Sequence, residues 1–194
     1  GYFVDITRRM HPQINAPVSW LSYKNKLHSH PDTDKNHVPG LEPGLITVPI
    51  HHVGNSSSSI EEANKVVEIA KAQSDVLGTS EVLIVAPYNA QVDLIRKQLD
   101  AAGLQDVAVG TVDKFQGREA MVVIVSMAAS SAADAPRGLE FILDRNRLNV
   151  AVSRAKVNCF LVFSPQIARS RFRSIEELKS ISRLNGLLGF STNH

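Results

Sequence analysis

Residues 81–87 read EVLIVAP, an apolar run bounded by a glutamate and a proline. A strand with one face in water alternates polar and apolar residues. One that is apolar at every position is buried on both faces, as in a parallel sheet covered by helices. The sequence on either side supports that reading. Val92, Ile95, Leu99 and Ala102 recur at spacings of three and four on one helical face, and Gly103 ends the helix. Upstream, LITVPI (45–50) is another strand, and the serine run 56–59 leads into a helix. There Ser59 and Glu62 have capping-box spacing, and Ile60, Ala63, Val67, Ala70 and Leu77 recur at helical intervals. Downstream, DVAVGT (106–111), AMVVIVSM (120–127) and VNCFLVF (157–163) add three strand candidates. The alternation predicts an α/β domain with a parallel, doubly wound sheet, whose ligand-contacting residues follow the carboxyl ends of the strands.

The flanks are less regular. Pro12 to Leu21 suits a short helix, and 24–44, rich in His, Pro, Asp and Asn, reads as an irregular excursion. Beyond Pro165, Arg169, Arg171 and Arg173 precede a second capping-box start, Ser174 to Glu177, with Ile175, Leu178 and Ile181 on one side of the helix it opens. The expected organisation is a domain over 1–165 and a helical appendage over 166–194. With 194 residues and 43% hydrophobic content, one sizeable core is expected. Lys and Arg outnumber Asp and Glu by 21 to 19, so any polyanion contact must be local. Cys159 is the only cysteine, which excludes an intramolecular disulfide and favours the cytoplasm. No apolar run approaches the roughly 20 residues of a membrane span, and the first residues do not read as a signal peptide, so a soluble chain without a membrane partner is expected.

Four stretches carry polar residues where a ligand would meet the sheet. After EVLIVAP comes YNAQ, in which Asn89 can cap the following helix, leaving free N–H groups for a phosphate, and Tyr88 offers a ring face to a base. After DVAVGT comes VDKFQGRE: Thr111 and Asp113 stand at the strand end, Gln116, Gly117 and Glu119 form a polar turn, Gly117 permits close backbone approach, and Glu119 can accept hydrogen bonds from a sugar hydroxyl. So short a connection cannot join neighbouring parallel strands without a crossover, so it holds a short helix or a binding turn. In NRLNVAVSRAK (146–156), Arg147 and Arg154 are seven apart and share a helical face, an arrangement suited to a transferring phosphoryl group. Finally, TRRMHPQI places Arg8 and Arg9 before Pro12, which can begin a helix. Adjacent arginines with no local acid are costly to crowd unless they diverge into water or an anion lies between them. Taken singly, each stretch also reads as an ordinary turn, cap or surface patch.

Taken in order, they resemble the second RecA-like domain of superfamily 1B helicases, the group of the Upf-type RNA helicases and the Dna-two-type nuclease-helicases. TRRMHP is similar to that family's QYRMHP motif, APYNAQV to its TPYxxQ element, VGTVDKFQGRE to its motif V and RLNVAVSRAK to its motif VI, covering residues 5 to 165. The resemblance implies a RecA-like, P-loop-NTPase-type parallel sheet without its own P-loop. It implies that Arg9 and Arg154 reach the γ-phosphate of ATP, and that Gln116, Gly117 and Glu119 face the nucleotide. Tyr88, Asn89 and Thr111 would touch the nucleic-acid backbone, and Asp113 would couple the two sites. Here Arg8 replaces the aromatic residue that the family sets against adenine, and Thr7 replaces the preceding Gln; a guanidinium can still stack on a base. PRGLEF, before motif VI, is similar to bacterial proteins in which a RecB-like nuclease precedes such a helicase.

The chain holds no GxxxxGK[ST] and no Asp-Glu dipeptide. Alone it is therefore expected not to hydrolyse ATP. ATP with Mg²⁺ would bind only together with a first RecA-like domain upstream in the same polypeptide. A single nucleic-acid strand, DNA favoured over RNA, is the expected partner, and no metal ligands are assigned. Three other readings compete. Glu177-Leu178-Lys179 is the only E-x-K, without an upstream carboxylate on a strand for nuclease chemistry; His28, His30, Asp32, Asp34 and His37 have irregular spacing for a metal site. The remaining alternative is a nuclease-associated nucleic-acid-binding module without motor activity.

Overall fold

The structure, a computed structural model, describes residues 5–192 apart from residue 116. Among the described residues the strands are β1 (Ile6–Thr7), β2 (His28–Ser29), β3 (Gly44–Pro49), β4 (Val82–Val85), β5 (Ala108–Gly110), β6 (Ala120–Ser126) and β7 (Ala155–Phe163). The helices are α1 (Pro12–Ser22), α2 (Ile60–Leu77), α3 (Asn89–Ala101), α4 (Leu139–Ile142), α5 (Arg145–Val152), α6 (Pro165–Ala168) and α7 (Ile175–Leu188). Strands β3 to β7 form one parallel sheet in the order β3-β7-β6-β4-β5. β5 and β6, joined by the short polar segment, are not neighbours, because β4 lies between them; a 3₁₀ turn, Val112–Phe115, occupies the connection.

Alternation along the apolar strands feeds two cores. Leu83 and Val85 of β4, Val123 and Val125 of β6, and Cys159, Leu161 and Phe163 of β7 face one layer with α1, α5 and α7. Val82 and Ile84, Val122 and Ile124, and Phe160 and Val162 face the other, with α2 and α3. This two-sided burial is what the unbroken run EVLIVAP encodes.

Some local expectations are corrected. On α2 the buried face carries Glu62, Ala63, Val66, Ile69 and Ala70, while Ile60 is exposed. On α7 it is Ile181, Leu184 and Leu187 that enter the core; Ile175 and Leu178 face solvent. The segment read as an appendage shares the first core: Thr192 N–H donates to Leu45 O at 2.9 Å, and α7 crosses α1 at Gly186, where a β-carbon would collide with the Trp20 indole. Asn89 is the first residue inside α3, and Tyr88 holds the cap position without a side-chain bond. Arg154 lies beyond the end of α5, so it shares no helical face with Arg147. Among the described residues, no helix is long and apolar enough to cross a membrane.

Candidate functional site

The first site lies at the amino ends of β6 and β7, the opposite edge from the one the strand-end rule points to. Arg9 stands on the turn between β1 and α1. That turn is pinned to the start of β7 by the His11 N–H, which donates to Lys156 O at 2.7 Å, while His11 Nδ1 accepts from Gln13 N–H and caps α1. Arg154 O accepts from Ala120 N–H at 3.1 Å, bringing the residues that precede β6 and β7 together. As a result residues distant in sequence meet. Arg9 Nε donates to Glu119 Oε2, Arg9 Nη1 reaches Ser153 O at 3.4 Å, and Lys156 Nζ lies 3.4 Å from Glu119 Oε1. Arg154 is held by backbone carbonyls, its Nε donating to Val150 O at 3.1 Å and its Nη1 to Arg118 O at 3.3 Å. Thr7, Arg8, Arg9, Tyr23, Glu119 and Arg154 line an open cleft of about 540 Å³ here.

The electrostatics of this cleft are unbalanced. Burial and the neighbouring Arg9 charge both lower the pKa of the Arg154 guanidinium, and Glu119 only partly offsets them. Burial acts to raise the Glu119 carboxyl, but the hydrogen bond and charge of Arg9, with Lys156, outweigh it and hold Glu119 below the ordinary glutamate value. The Arg9–Glu119 contact is therefore present at neutral pH and is lost as pH falls through that depressed value. A carbon-13 NMR titration should place the Glu119 midpoint below that of a free glutamate, and Arg9→Ala should move it upward. A midpoint unchanged by Arg9→Ala contradicts the pairing.

The second group lies at the carboxyl ends of β4 and β5. Asn89 is exposed, and Thr111 is half-buried directly after β5. Tyr88 does not present a free ring: it is 8% exposed and stacks on Phe141 with centroids 5.5 Å apart at 29°. The base-stacking role expected of it is withdrawn. Burial pushes its phenol above the ordinary tyrosine value, against the opposing effect of Arg137. The Phe141 ring also carries Arg137 at 3.9 Å and Arg147 at 4.4 Å from its centroid, and Arg147 Nη1 lies 3.7 Å from Asp113 Oδ2. Asp113 is thus joined through Arg147 and Phe141 to Tyr88. Gly117, exposed, has φ +86°, and a β-carbon there would meet nothing within 4 Å, so glycine is needed for conformation and not for space. Gln116 lies outside the described residues.

Beneath the carboxyl edge is a buried polar network that the sequence reading did not anticipate. Gln91, wholly buried, accepts from Ser59 N–H at 2.7 Å and donates to Ser126 Oγ at 3.0 Å. Glu62, also wholly buried, accepts at Oε2 from Ser126 Oγ (2.6 Å), Met127 N–H (2.9 Å) and Ala128 N–H (2.9 Å), while its Oε1 lies 3.0 Å from His52 Nε2. His52 Nδ1 continues to Ser130 Oγ at 2.7 Å. The signals available in the sequence were the Gln of APYNAQV and the Glu of the first capping box. Tyr23, in the cleft, lies outside every quoted motif, and Lys156, which closes NRLNVAVSRAK and reaches Glu119, was not singled out within it. Among the described residues no group of three or more His, Cys, Asp or Glu is placed to hold a metal; in the 24–44 excursion His30 instead caps a 3₁₀ turn, Pro31–Lys35.

Comparison with known proteins places this geometry in context. Residues 2–166 match the AAA domain family. The human 3'-5' exoribonuclease HELZ2 is 30% identical over 191 residues, covering 84% of this chain and 7% of that protein. DNA polymerase alpha-associated DNA helicase A of Schizosaccharomyces pombe is 42% identical over 80 residues, covering 41% of this chain and 12% of that protein. The chain therefore spans only a small part of these relatives. A solved C-terminal domain of a possible DNA helicase from Lactobacillus plantarum superposes with a TM-score of 0.52 at 19% identity, covering 83% of this chain and 89% of that one, a likeness of fold.

Proposed function

Because the chain belongs to the AAA domain family, as the C-terminal RecA-like domain of a superfamily 1B helicase, we propose that it supplies the arginines of an ATP site shared with a second RecA-like domain, and part of the track for a single nucleic-acid strand. The observation that carries this reading is that Arg9, paired with Glu119, and Arg154, tied only to backbone carbonyls, line one open cleft. Burial and the Arg9 charge lower the pKa of Arg154, and a cleft in which the one carboxylate is already paired with Arg9 favours an added anion. The chain has neither GxxxxGK[ST] nor an Asp-Glu dipeptide, so the phosphate-holding half belongs to an upstream RecA-like domain, and this chain by itself is inactive.

The residues present fit a nucleoside triphosphate. ATP bound with Mg²⁺ supplies the phosphoanhydride whose hydrolysis drives movement. Arg9 and Arg154 neutralise charge at the terminal phosphate, and Glu119 holds Arg9 in position until phosphate competes for it. Arg8 and Tyr23 line the same cleft and are the groups available to a base. Asp113, Arg147 and Phe141 connect the nucleotide-side turn with the strand-side edge. Wild-type ATP turnover in Arg9→Ala or Arg154→Ala, measured in the intact protein with a single strand present, overturns this reading.

On the strand side, Thr111→Val removes a hydroxyl at nearly constant volume. It should weaken single-strand binding several-fold, the scale of one lost hydrogen bond, and lower the stimulation of ATP hydrolysis in proportion. Unchanged binding argues against Thr111 as a backbone contact. We propose DNA as the strand, following the relatives named as DNA helicases. Oligo(dT) and oligo(U) titrated side by side test that choice, and equal affinities remove it.

A further inference from the structure

A second basic surface lies on the same sheet edge as Asn89 and Thr111 and has no part in either site above. His51 follows β3, the loop 131–133 follows β6, and the segment joining α6 to α7 follows β7; together they wall a cleft of about 700 Å³. Arg169, Arg171 and Arg173 line it, all exposed or half-exposed, and their guanidiniums make no hydrogen bond or ion pair among the described residues. Phe172 stands among them, 57% exposed. The one acid in the wall, Glu177, is engaged at Oε2 by the Arg173 N–H.

Three unpaired guanidiniums grouped around an exposed aromatic ring suit a ligand that combines repeated negative charge with flat apolar surface. A single nucleic-acid strand has both, phosphates for the arginines and bases for the ring. The edge is continuous: Thr111 follows β5, Asn89 follows β4, Arg137 lies in the connection after β6, and the new cleft sits over β7 and β3. Across these five strands the edge spans about 19 Å, room for several nucleotides. We propose that Arg169, Arg171, Arg173 and Phe172 form an additional single-strand binding site that extends the track beyond Asn89 and Thr111. This rests on the reading of the carboxyl edge as the track.

The test is fluorescence anisotropy on the intact protein without nucleotide, using a short and a long fluorescein-labelled oligo(dT), about 6 and about 20 nucleotides. Arg169→Ala/Arg171→Ala/Arg173→Ala should weaken the long probe at least about tenfold and spare the short one. It should also flatten the dependence of log K on log salt by about 2, the share of three phosphate contacts on a single strand. Phe172→Ala should cost the long probe about tenfold and abolish the photocrosslink from 5-iodouracil to this segment. Thr111→Val should weaken both lengths. A triple variant with wild-type affinity and salt slope, while Thr111→Val still weakens binding, overturns the proposed site and leaves the track. If the wild type binds neither probe, both readings fall. Displacement of the long probe by polyglutamate at equal charge concentration identifies the cleft as an acidic-peptide surface and also overturns the proposal.

Discussion

In the intact protein, Arg154→Ala should lower nucleic-acid-stimulated ATP hydrolysis by about 10³-fold or more while nucleotide affinity stays close to wild type. The expectation follows from where Arg154 is held. Its guanidinium is tethered by the carbonyls of Val150 and Arg118 at the lip of the cleft, beside Arg9 and facing no acid of its own. A group so placed contributes most when negative charge develops on the transferring phosphoryl, and less to ground-state binding, which falls to the phosphate-holding domain. A 10³-fold loss corresponds to about 4 kcal/mol of transition-state stabilisation. Arg154→Lys keeps the charge but lacks the planar fork, so it should recover only part of the rate. Arg9→Ala should give a loss of similar size, and the double variant should lose far less than the product of the two, because both guanidiniums act on one charge. A drop in nucleotide affinity that fully accounts for the lost rate places Arg154 in binding alone.

The largest effect on stability should come from Glu62→Ala. The substitution leaves the Met127 and Ala128 N–H groups, the Ser126 hydroxyl and the His52 ring without their shared acceptor in a site closed to water. Leaving buried donors unpaired costs about 1–3 kcal/mol each, and several together amount to a third or more of the stability of an ordinary domain. Ala128 adds to the expectation, since it is held at φ +67°, a conformation costly for any residue with a β-carbon, and its N–H is one of the donors to Glu62. Denaturant unfolding should show a midpoint well below wild type. Glu62→Gln keeps an acceptor oxygen and the volume and should lose clearly less. Equal losses in the two variants indicate that packing, and not the hydrogen bonds, is what Glu62 contributes.

The strands were legible in the sequence because burial on both faces demands apolar residues at every position, and EVLIVAP, AMVVIVSM and VNCFLVF meet that demand without reference to anything distant. Helix starts were legible for a similar reason: Ser59 and Ser174 do accept from the N–H groups of Glu62 and Glu177, a bond made within one turn. The carboxylates of those same boxes were not. Glu177 reaches Arg173 N–H, and Glu62 turns into the core, leaving Ser59 N–H to Gln91, 32 residues away. Local spacing fixes which backbone groups a side chain can reach, and long-range packing selects among them.

The site divides in the same way. The sequence by itself determined that the chain is an α/β domain with arginines at Arg9 and Arg154, an acid at Glu119 and no phosphate-binding loop. Only the tertiary structure decided that those three residues line one cleft at the amino ends of β6 and β7, and that Tyr88 is covered by Phe141. It also decided that Arg147 departs from Arg154 to join Asp113. The physical reason is that a charge or a ring is read from a sequence as a capacity to interact. Its partner depends on which strand ends the order β3-β7-β6-β4-β5 brings together, and no local pattern records that order.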